Sequence, residues 1–233
     1  MRRSKYADVP AGADNPLNAA VSARDRGTLD MVAAAVKHSQ TLLAFQPIMV
    51  THNWQVGFYE GLIRIMDDTG RIIPAKDFMP VVERTELGRE IDVLALNMGL
   101  RTLADNPSLR LSINMSARSI GYQKWMRTLN RWVKRDATLG ERLILEITES
   151  SAMDQPELVI DFMDRLSRHG ICFALDDFGS GYTALRYLKD FYFDILKIDM
   201  QFCNGIADDP DLRALTEAML KIGRHRASQL DVR

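Results

Sequence analysis

Apolar residues recur along the chain in two alternating patterns, one typical of helices and one typical of strands. Between Leu29 and Val36 they lie three and four positions apart, which predicts a helix with one apolar face. Short apolar runs follow, and amphipathic segments separate them. The runs that we predict to be strands cover residues 42–49, 55–65, 109–115, 142–147, 171–176 and 193–198.

Two of the intervening segments show a clear helical period. One has apolar residues at Val159, Phe162, Met163 and Leu166 and ends near Gly170. The last helix is predicted to begin at residues 208–210, and its apolar stripe consists of Leu212, Leu215, Met219 and Ile222. Both segments are therefore expected to pack one face against a sheet.

The alternation of strands and helices indicates a mostly parallel sheet. The strands from residue 109 onward are apolar on both faces, as expected for strands that are covered on both sides. A doubly wound sheet and a (β/α) barrel both fit, and periodicity does not separate them. Residues 1–27 lack the pattern and are interpreted as a flexible N-terminal tail, and residues 28–233 as one domain.

Composition narrows the partners that the chain is expected to have. The chain has 233 residues, of which 46% are hydrophobic and 26% charged, and its net charge is -1. This balance gives no general attraction for DNA or for an anionic membrane, so we expect neither as a partner. Residues 4–18 lack the apolar centre of a secretory signal, and no stretch is long and apolar enough to span a bilayer, so we expect a cytoplasmic protein.

Each predicted strand carries polar residues toward its carboxyl end. Side chains two positions apart share a face of a strand, and barrels build active sites from the carboxyl ends of several strands. A single acid at such a place is more often a helix cap or a loop contact, so the prediction depends on the coincidence across strands. The polar residues expected in a common pocket are Glu60, Arg64, Asn114, Glu146, Asp176, Asp177 and Lys197.

The chemistry of these residues suggests a metal-dependent reaction on a phosphoester. Converging carboxylates repel one another, and hard oxygen ligands select Mg²⁺, Mn²⁺ or Ca²⁺. Arg64 and Lys197 add positive charge, and an arginine can bind a phosphate through two hydrogen bonds. Because Asp176 and Asp177 are adjacent, both cannot point inward from a regular strand, and the strand is predicted to end there.

The same positions carry a resemblance to the EAL domain family of cyclic di-GMP phosphodiesterases. Any one of its motifs is weak, but seven in family order, from about residue 28 to about residue 225, are specific. The name motif has glycine in place of alanine. The matching segments are 45–48 (FQPI), 60–64 (EGLIR), 78–83 (FMPVVE), 114–116 (NMS), 146–149 (EITE), 176–182 (DDFGSGY) and 197–199 (KID).

The resemblance implies a TIM-like (β/α) barrel whose first strand is antiparallel to the others. It also implies two Mg²⁺ or Mn²⁺ ions, inhibition by Ca²⁺, and hydrolysis of cyclic di-GMP to linear pGpG. Transferred residue by residue, Lys197 would orient the attacking water or steady its charge, and Glu149 would anchor the loop after Asp177. Gln46 and Arg64 would contact the substrate. The implied metal ligands are Glu60, Asn114, Glu146, Asp176 and Asp177.

The chain departs from the family after Lys197 and the helix that follows it. The family continues to a seventh strand with the sequence Ala-Glu-Gly-Val-Glu and to an eighth strand followed by Gln-Gly, and neither is found here. We therefore predict an incomplete barrel of about six strands, without the last two βα units. Its first and sixth strands would keep open edges, through which it could pair with a second copy or a protein partner.

Three hypotheses about function remain open at this point. The first is a metal-dependent cyclic di-GMP phosphodiesterase, supported by the retained acids and Lys197. The second is a catalytically inactive EAL domain that binds cyclic di-GMP or a protein, supported by the missing seventh-strand glutamate and eighth-strand glutamine. The third is a fragment without a stable fold.

Overall fold

The computed structural model describes residues 16–181 and 188–230 and contains the predicted alternation of strands and helices. The strands are β1 (Thr41–Val50), β2 (Gln55–Met66), β3 (Ile72–Pro74), β4 (Leu111–Asn114), β5 (Leu143–Thr148), β6 (Cys172–Phe178) and β7 (Ile195–Ile198). The helices of the described residues are α1 (Pro16–Lys37), α2 (Met79–Val82), α3 (Glu86–Asp105), α4 (Gln123–Arg135), α5 (Thr138–Arg142), α6 (Glu149–Asp154), α7 (Pro156–Ser167), α8 (Met200–Cys203) and α9 (Pro210–Leu230). All six strands predicted from the sequence are present, and β3 is a short addition that the pattern did not indicate.

One curled sheet organises the molecule. Its strand order is β1-β2-β4-β5-β6-β7, with β3 paired to the side of β2. β1 runs antiparallel to β2, and every later step from β2 to β7 is parallel. The order follows the chain without the reversal that defines a doubly wound sheet. The fold is therefore an incomplete TIM-like barrel, and the barrel alternative is the correct one.

The prediction that the strand ends at Asp176 is wrong. β6 continues to Phe178, and its pairing with β7 shifts register between Leu175 and Phe178. Asp177 has a φ of 55°, in the left-handed region that aspartate tolerates better than most residues. This bulge turns Asp177 without ending the strand, which is why two adjacent acids can both lie at the same end of β6.

Helices α3, α4 and α7 bury their apolar faces on the outer side of the sheet. The predicted stripe of α7, which contains Val159, Phe162, Met163 and Leu166, is buried. Phe162 contacts Trp125 of α4 and Phe173 of β6, with ring centroids 5.6 and 6.0 Å apart. Each of these large side chains stabilises the fold by roughly 2–3 kcal/mol through burial. The layer fixes the strands whose ends carry the polar residues.

The two terminal helices of the described chain differ from this layer. α1 begins at Pro16, so it starts within the range in which the pattern indicated a loose tail, and residues 1–15 lie outside the described residues. α9 confirms the predicted last helix, but Leu215 of its apolar stripe is 49% exposed. No helix in the described ranges is both long and apolar enough to cross a lipid bilayer.

Candidate metal centre

Three carboxylates from three different strands meet on the sheet, from the middle of β2 and toward the carboxyl ends of β5 and β6. They are Glu60 of β2, Glu146 of β5 and Asp176 of β6, and each offers an oxygen that lies within 4.8 Å of the others. Glu60 and Glu146 are buried, at 8% and 1% exposure. The parallel pairing of β2, β4, β5 and β6 brings these residues to one edge of the sheet, as the strand-end pattern predicted.

Lys197 of β7 joins the three acids from the outermost strand of the described sheet. Its Nζ atom lies 2.5 Å from Glu146 Oε2, 3.2 Å from Glu60 Oε2 and 3.2 Å from Asp176 Oδ1. One ammonium therefore faces three carboxylates, and the cluster retains an excess of negative charge. Such an excess in a mostly buried place favours an additional cation.

The electrostatics of the cluster follow from burial and from this imbalance. Burial raises the pKa of Glu146, with a further contribution from the Glu60 carboxylate, although Lys197 acts to lower it. Burial acts to lower the pKa of Lys197, but the carboxylates led by Glu146 outweigh it and raise that pKa above its ordinary value. Lys197 is therefore a fixed positive charge at neutral pH.

The residues present fit a hard divalent cation. Oε1 of Glu146 is buried and has no hydrogen-bond partner among the described residues, which is costly for a carboxylate oxygen. The surrounding donors of Glu60, Glu146 and Asp176 are oxygens of the kind that Mg²⁺ and Mn²⁺ prefer. A cation beside Oε1 would give that oxygen a partner and offset the excess charge.

Asn114 lies at the end of β4, next to this cluster. Its Nδ2 atom donates a hydrogen bond of 3.0 Å to Glu60 Oε1, so its nitrogen rather than its oxygen faces the acid. Binding a metal through Asn114 would require the amide to turn over, which exchanges nitrogen and oxygen with little change of shape. The structure thus brings Asn114 to the site as a hydrogen-bond donor.

Asp177 lies beside the cluster, although it is not one of the three grouped carboxylates. Its side chain is exposed at the bulge of β6. Partial burial raises the pKa of Asp177, and the neighbouring carboxylates of Asp176 and Asp199 raise it further. A second region of negative charge therefore borders the first.

The two residues expected to contact substrate are at the edge of the site. Gln46 lies opposite Glu60 in the β1–β2 ladder and is exposed. Arg64 is half-buried, and its Nη1 atom donates 2.9 Å to the carbonyl oxygen of Ile63. The structure thus does not bring either side chain into contact with the three acids.

Glu149 contacts the loop that follows β6. It is the first residue of α6 and is 1% exposed. Its Oε2 atom accepts hydrogen bonds from the backbone N–H of Gly179 at 2.8 Å and of Gly181 at 3.4 Å. Gly179 has a φ of 95°, and a Cβ there would lie 2.6 Å from Met219, so only glycine suits this position. Tyr182 of the same motif lies outside the described residues.

The glycine that replaces alanine in the name motif has a packing reason. A Cβ added to Gly61 would lie 2.7 Å from Cδ1 of Ile113, and a Cβ at Gly99 of α3 would meet the same side chain at 2.7 Å. Ile113 therefore occupies the space above both glycines. The replacement changes the packing between β2, β4 and α3 but leaves Glu60 in place.

A cavity of about 380 Å³ opens beside the acids. Glu60, Asn114 and Asp176 line it, together with Lys76, Met79 and Glu83. Gln46 and Arg64 are not among the described side chains that line it. The cavity gives a ligand access to the carboxylates of Glu60 and Asp176.

The cavity also contains an acid that the strand-end pattern did not indicate. Asp92 of α3 lines it and is only 4% exposed. Burial raises the pKa of Asp92 to about 7, against hydrogen bonds from Ser119 and Ser116 that act to lower it. The signal was present in the sequence, because Asp92 falls on the apolar face of α3 between Ile91 and Ala95.

Comparison with known proteins identifies relatives of this chain. The family model described as EAL domain matches residues 29–230. The bifunctional diguanylate cyclase/cyclic di-GMP phosphodiesterase MucR of Pseudomonas aeruginosa is 29% identical over 82% of the chain. The cyclic di-GMP phosphodiesterase PdeA of Borreliella burgdorferi is 30% identical over 75% of it. The chain spans 28% and 27% of the lengths of these two relatives.

Solved structures show the same fold. The PaMucR phosphodiesterase in complex with cyclic di-GMP superimposes with a TM-score of 0.72 at 28% identity, covering 86% of this chain and 83% of that one. The EAL domain of FimX from Pseudomonas aeruginosa, bound to cyclic di-GMP, gives a TM-score of 0.77 at 18% identity. It covers 86% of this chain and 82% of its own, and at that identity it supports the fold alone.

Proposed function

Because the chain belongs to the EAL domain family, we propose that it is a metal-dependent phosphodiesterase that hydrolyses cyclic di-GMP to linear pGpG. One observation supports this above all others. Three carboxylates from three strands converge on a buried place, and Oε1 of Glu146 there has no hydrogen-bond partner among the described residues. The adjoining cavity gives a phosphoester access to that place.

In this proposal the cations are Mg²⁺ or Mn²⁺, and Ca²⁺ inhibits. Bound divalent ions supply Lewis-acid chemistry, which activates water and offsets charge on the phosphate oxygens. The residues that would hold them are Glu60, Asn114, Glu146, Asp176 and Asp177.

Lys197 and Glu149 have supporting roles in the reaction that we propose. Lys197 is held within 3.2 Å of three acids, where its fixed charge would keep the carboxylates together and orient or steady the attacking water. Glu149 would keep the loop after Asp177 in register through Gly179 and Gly181. Both roles depend on contacts within the protein and not on contact with the substrate.

Gln46 and Arg64 would bind the substrate at the rim of the site. For Arg64 this requires the guanidinium to leave the Ile63 carbonyl, a contact within the same strand that is weak enough to exchange for a phosphate.

The test is a hydrolysis assay with the full chain, cyclic di-GMP and either Mg²⁺ or Mn²⁺, in which pGpG is measured by chromatography. We expect product to form, to stop on addition of a chelator, and to fall at least about 100-fold in Glu146→Gln. Glu90→Gln is the matched control, since Glu90 is also paired with a lysine, Lys124, but lies outside the site. Absence of pGpG with either metal would exclude the enzyme.

A second function, binding cyclic di-GMP without cleaving it, is supported by the half-barrel itself. Within the described residues the sheet has open edges at β1 and β7, so Lys197 lies on a strand with one neighbour. Calorimetry with cyclic di-GMP in Ca²⁺ separates the two functions when combined with the hydrolysis assay. Binding in Ca²⁺ together with no product in Mg²⁺ or Mn²⁺ would favour the binding module.

The open edges also support a protein partner or a homodimer, since unpaired strand edges accept another strand. Light scattering at two concentrations tests this, because pairing through β1 or β7 predicts a mass that rises with concentration. A cooperative thermal transition would exclude a fragment without a stable fold. The proposed substrate, a bacterial second messenger, carries the expectation of a cytoplasmic location.

A further inference from the structure

A buried hydrogen-bond network borders the cavity, on the segment that follows β4. Asp92 Oδ2 accepts a hydrogen bond of 3.0 Å from the backbone N–H of Ser116 and one of 2.6 Å from the hydroxyl of Ser119. No lysine, arginine or histidine pairs with Asp92 among the described residues. Both hydrogen bonds thus reach Oδ2 of Asp92 from one segment of the chain.

Helix α6 holds the same segment from the other side. Ser151 Oγ accepts a hydrogen bond of 2.8 Å from the backbone N–H of Ala117 and lies 3.4 Å from the hydroxyl of Ser116. Ser151 is fixed in turn, because its own N–H donates to Thr148 Oγ1 at 3.3 Å. Two consecutive backbone N–H groups, those of Ser116 and Ala117, thus donate hydrogen bonds to side chains of two different helices.

These contacts adjoin Asn114 directly. Only Met115 separates Asn114 from Ser116, and the Met115 N–H donates 2.9 Å to the carbonyl oxygen of Glu146. The backbone after Asn114 is thus held at three successive N–H groups, those of Met115, Ser116 and Ala117. A side chain on so restrained a segment has little freedom to move away from Glu60, which it contacts at 3.0 Å.

We propose that Asp92 and Ser151 are positioning residues, a clamp on the segment after β4 that holds Asn114 at the metal centre. The proposal rests on the proposed function for its metal, but not for the clamp itself. Burying a carboxylate without a cation is costly, and an apolar residue would fill the same place in the core more favourably. The two hydrogen bonds to Oδ2 offset part of that cost, and they also fix the orientation of the segment.

Helix α6 also connects the clamp to the loop that follows β6. Glu149, two residues before Ser151, binds Gly179 and Gly181 after β6. The segment after β4, which follows Asn114, and the loop after β6, which follows Asp176 and Asp177, thus share one short helix as their anchor. A change at Ser151 is expected to reach both segments, whereas a change at Asp92 is expected to reach only the first.

The test uses the full chain and Mn²⁺ as the probe, with binding measured by electron paramagnetic resonance. Asp92→Ala and Ser151→Ala are each expected to weaken Mn²⁺ binding about tenfold, as loss of a supporting contact commonly does. In the double variant, the fold loss of Mn²⁺ affinity is expected to be smaller than the product of the two single losses, since both residues act on one segment. Asp92→Asn keeps an acceptor and is expected to restore most of the affinity.

Leu100→Ala is the matched control for general destabilisation. Leu100 is fully buried on the same helix as Asp92 and lies about two turns further along it. It is expected to lower the melting temperature at least as much as Asp92→Ala while leaving Mn²⁺ affinity unchanged. An equal loss of affinity in Leu100→Ala, or unchanged affinity in folded Asp92→Ala, would overturn the proposal.

Hydrogen exchange gives a readout that does not depend on metal. Amide exchange of residues 115–119 is expected to rise at least tenfold in Asp92→Ala, and in Ser151→Ala it should rise at residues 179–181 as well. If the unaltered chain binds no Mn²⁺, the proposed function fails, and exchange alone then decides the clamp. Unchanged exchange at residues 115–119 in both variants would show that the clamp does not exist.

Discussion

Two buried acids, Glu146 in the carboxylate cluster and Asp92 on α3, have contrasting partners. Glu146 faces the ammonium of Lys197 together with two other carboxylates, and one of its oxygens has no hydrogen-bond partner among the described residues. Asp92 faces a backbone N–H and a hydroxyl and has no cationic partner in the described chain. The first region holds more negative charge than its single cation can offset. The second holds one carboxylate whose Oδ2 atom accepts hydrogen bonds from two neutral donors.

The difference shows what each region can do. A cluster with excess negative charge and an unsatisfied oxygen is suited to bind a further cation. A lone carboxylate with directed neutral donors is suited to fix the backbone that supplies them, and it can also relieve its burial by taking up a proton. The same chemical group is therefore a candidate ligand in one place and a positioning group in the other.

The largest effect is expected from removing the cation of the first region. Lys197→Met leaves Glu60, Glu146 and Asp176 close together without their ammonium. Breaking a buried ion pair by removing one partner costs about 3 kcal/mol, the lower end of the usual range, because Lys197 is partly exposed. Urea denaturation measures this loss in the free energy of unfolding.

Mn²⁺ decides whether the cluster is a cation site. If it is, Mn²⁺ should stabilise Lys197→Met more than it stabilises the unaltered chain, because the variant has more uncompensated charge. Lys124→Met is the control, since Lys124 pairs with Glu90 at a more exposed place. A loss of stability in Lys197→Met that Mn²⁺ does not reduce would argue against the cation site.

The next effect concerns the unsatisfied oxygen itself. Glu146→Gln preserves the shape of the side chain but replaces one oxygen by a donor and removes a charge. We expect Mn²⁺ affinity to fall about 100-fold, which is about 2.7 kcal/mol. Calorimetric titration measures the change, and Glu90→Gln should bind Mn²⁺ as the unaltered chain does. Equal affinities for the two variants would remove Glu146 from the site.

The sequence predicted the first region and missed the second for a physical reason. Strand alternation places Glu60, Glu146 and Asp176 on inward faces, and parallel pairing brings their ends together, so strand patterns alone suffice. The bulge that turns Asp177 depends on backbone torsion, which the pattern does not contain. Asp92 depends on the contact between α3 and the segment after β4, which are separate in sequence, although its place on an apolar helical face was visible.

The exposure of Leu215 shows another limit of pattern reading. Its period is correct for the buried face of α9, and the helix is present, but what covers that face depends on neighbouring elements. A hydrophobic stripe predicts which side of a helix turns inward. It does not predict how much of that side the neighbouring elements cover. The strands, whose partners are consecutive in the sheet, were predicted better for this reason.

The second region should make the free energy of unfolding depend on pH. Burial raises the folded-state pKa of Asp92 from 3.8 to about 7, with Glu83 as the charged neighbour that raises it further. Between these values the unfolded chain has lost the proton that the folded chain keeps, so the free energy of unfolding falls as pH rises. This contribution is about 1 kcal/mol per pH unit and ends above pH 7.

Asp92→Asn should remove this contribution. The stability of the variant relative to the unaltered chain should therefore rise between pH 5 and pH 7 and stay level above pH 7. Urea denaturation at pH 5, 6, 7 and 8, without added metal, measures the difference, and the titration of the first region cancels because both chains share it. A difference that is constant with pH would mean that Asp92 is ionised throughout.

The smallest expected loss of stability comes from removing a single hydroxyl, that of Ser119. Its dependence on pH tests directly whether Asp92 of the second region changes its charge. Ser119→Ala removes the hydrogen bond of 2.6 Å to Asp92, which should cost about 1 kcal/mol. A hydrogen bond to an ionised acceptor is stronger, so the cost should be larger at pH 8 than at pH 5, where Asp92 is protonated. Thr102→Ala, which removes a hydroxyl bonded to the carbonyl of Met98 on α3, should cost the same at both pH values. If Ser119→Ala also costs the same at both, the carboxylate of Asp92 does not change its charge in this range, and the second region would behave like an ordinary buried polar contact.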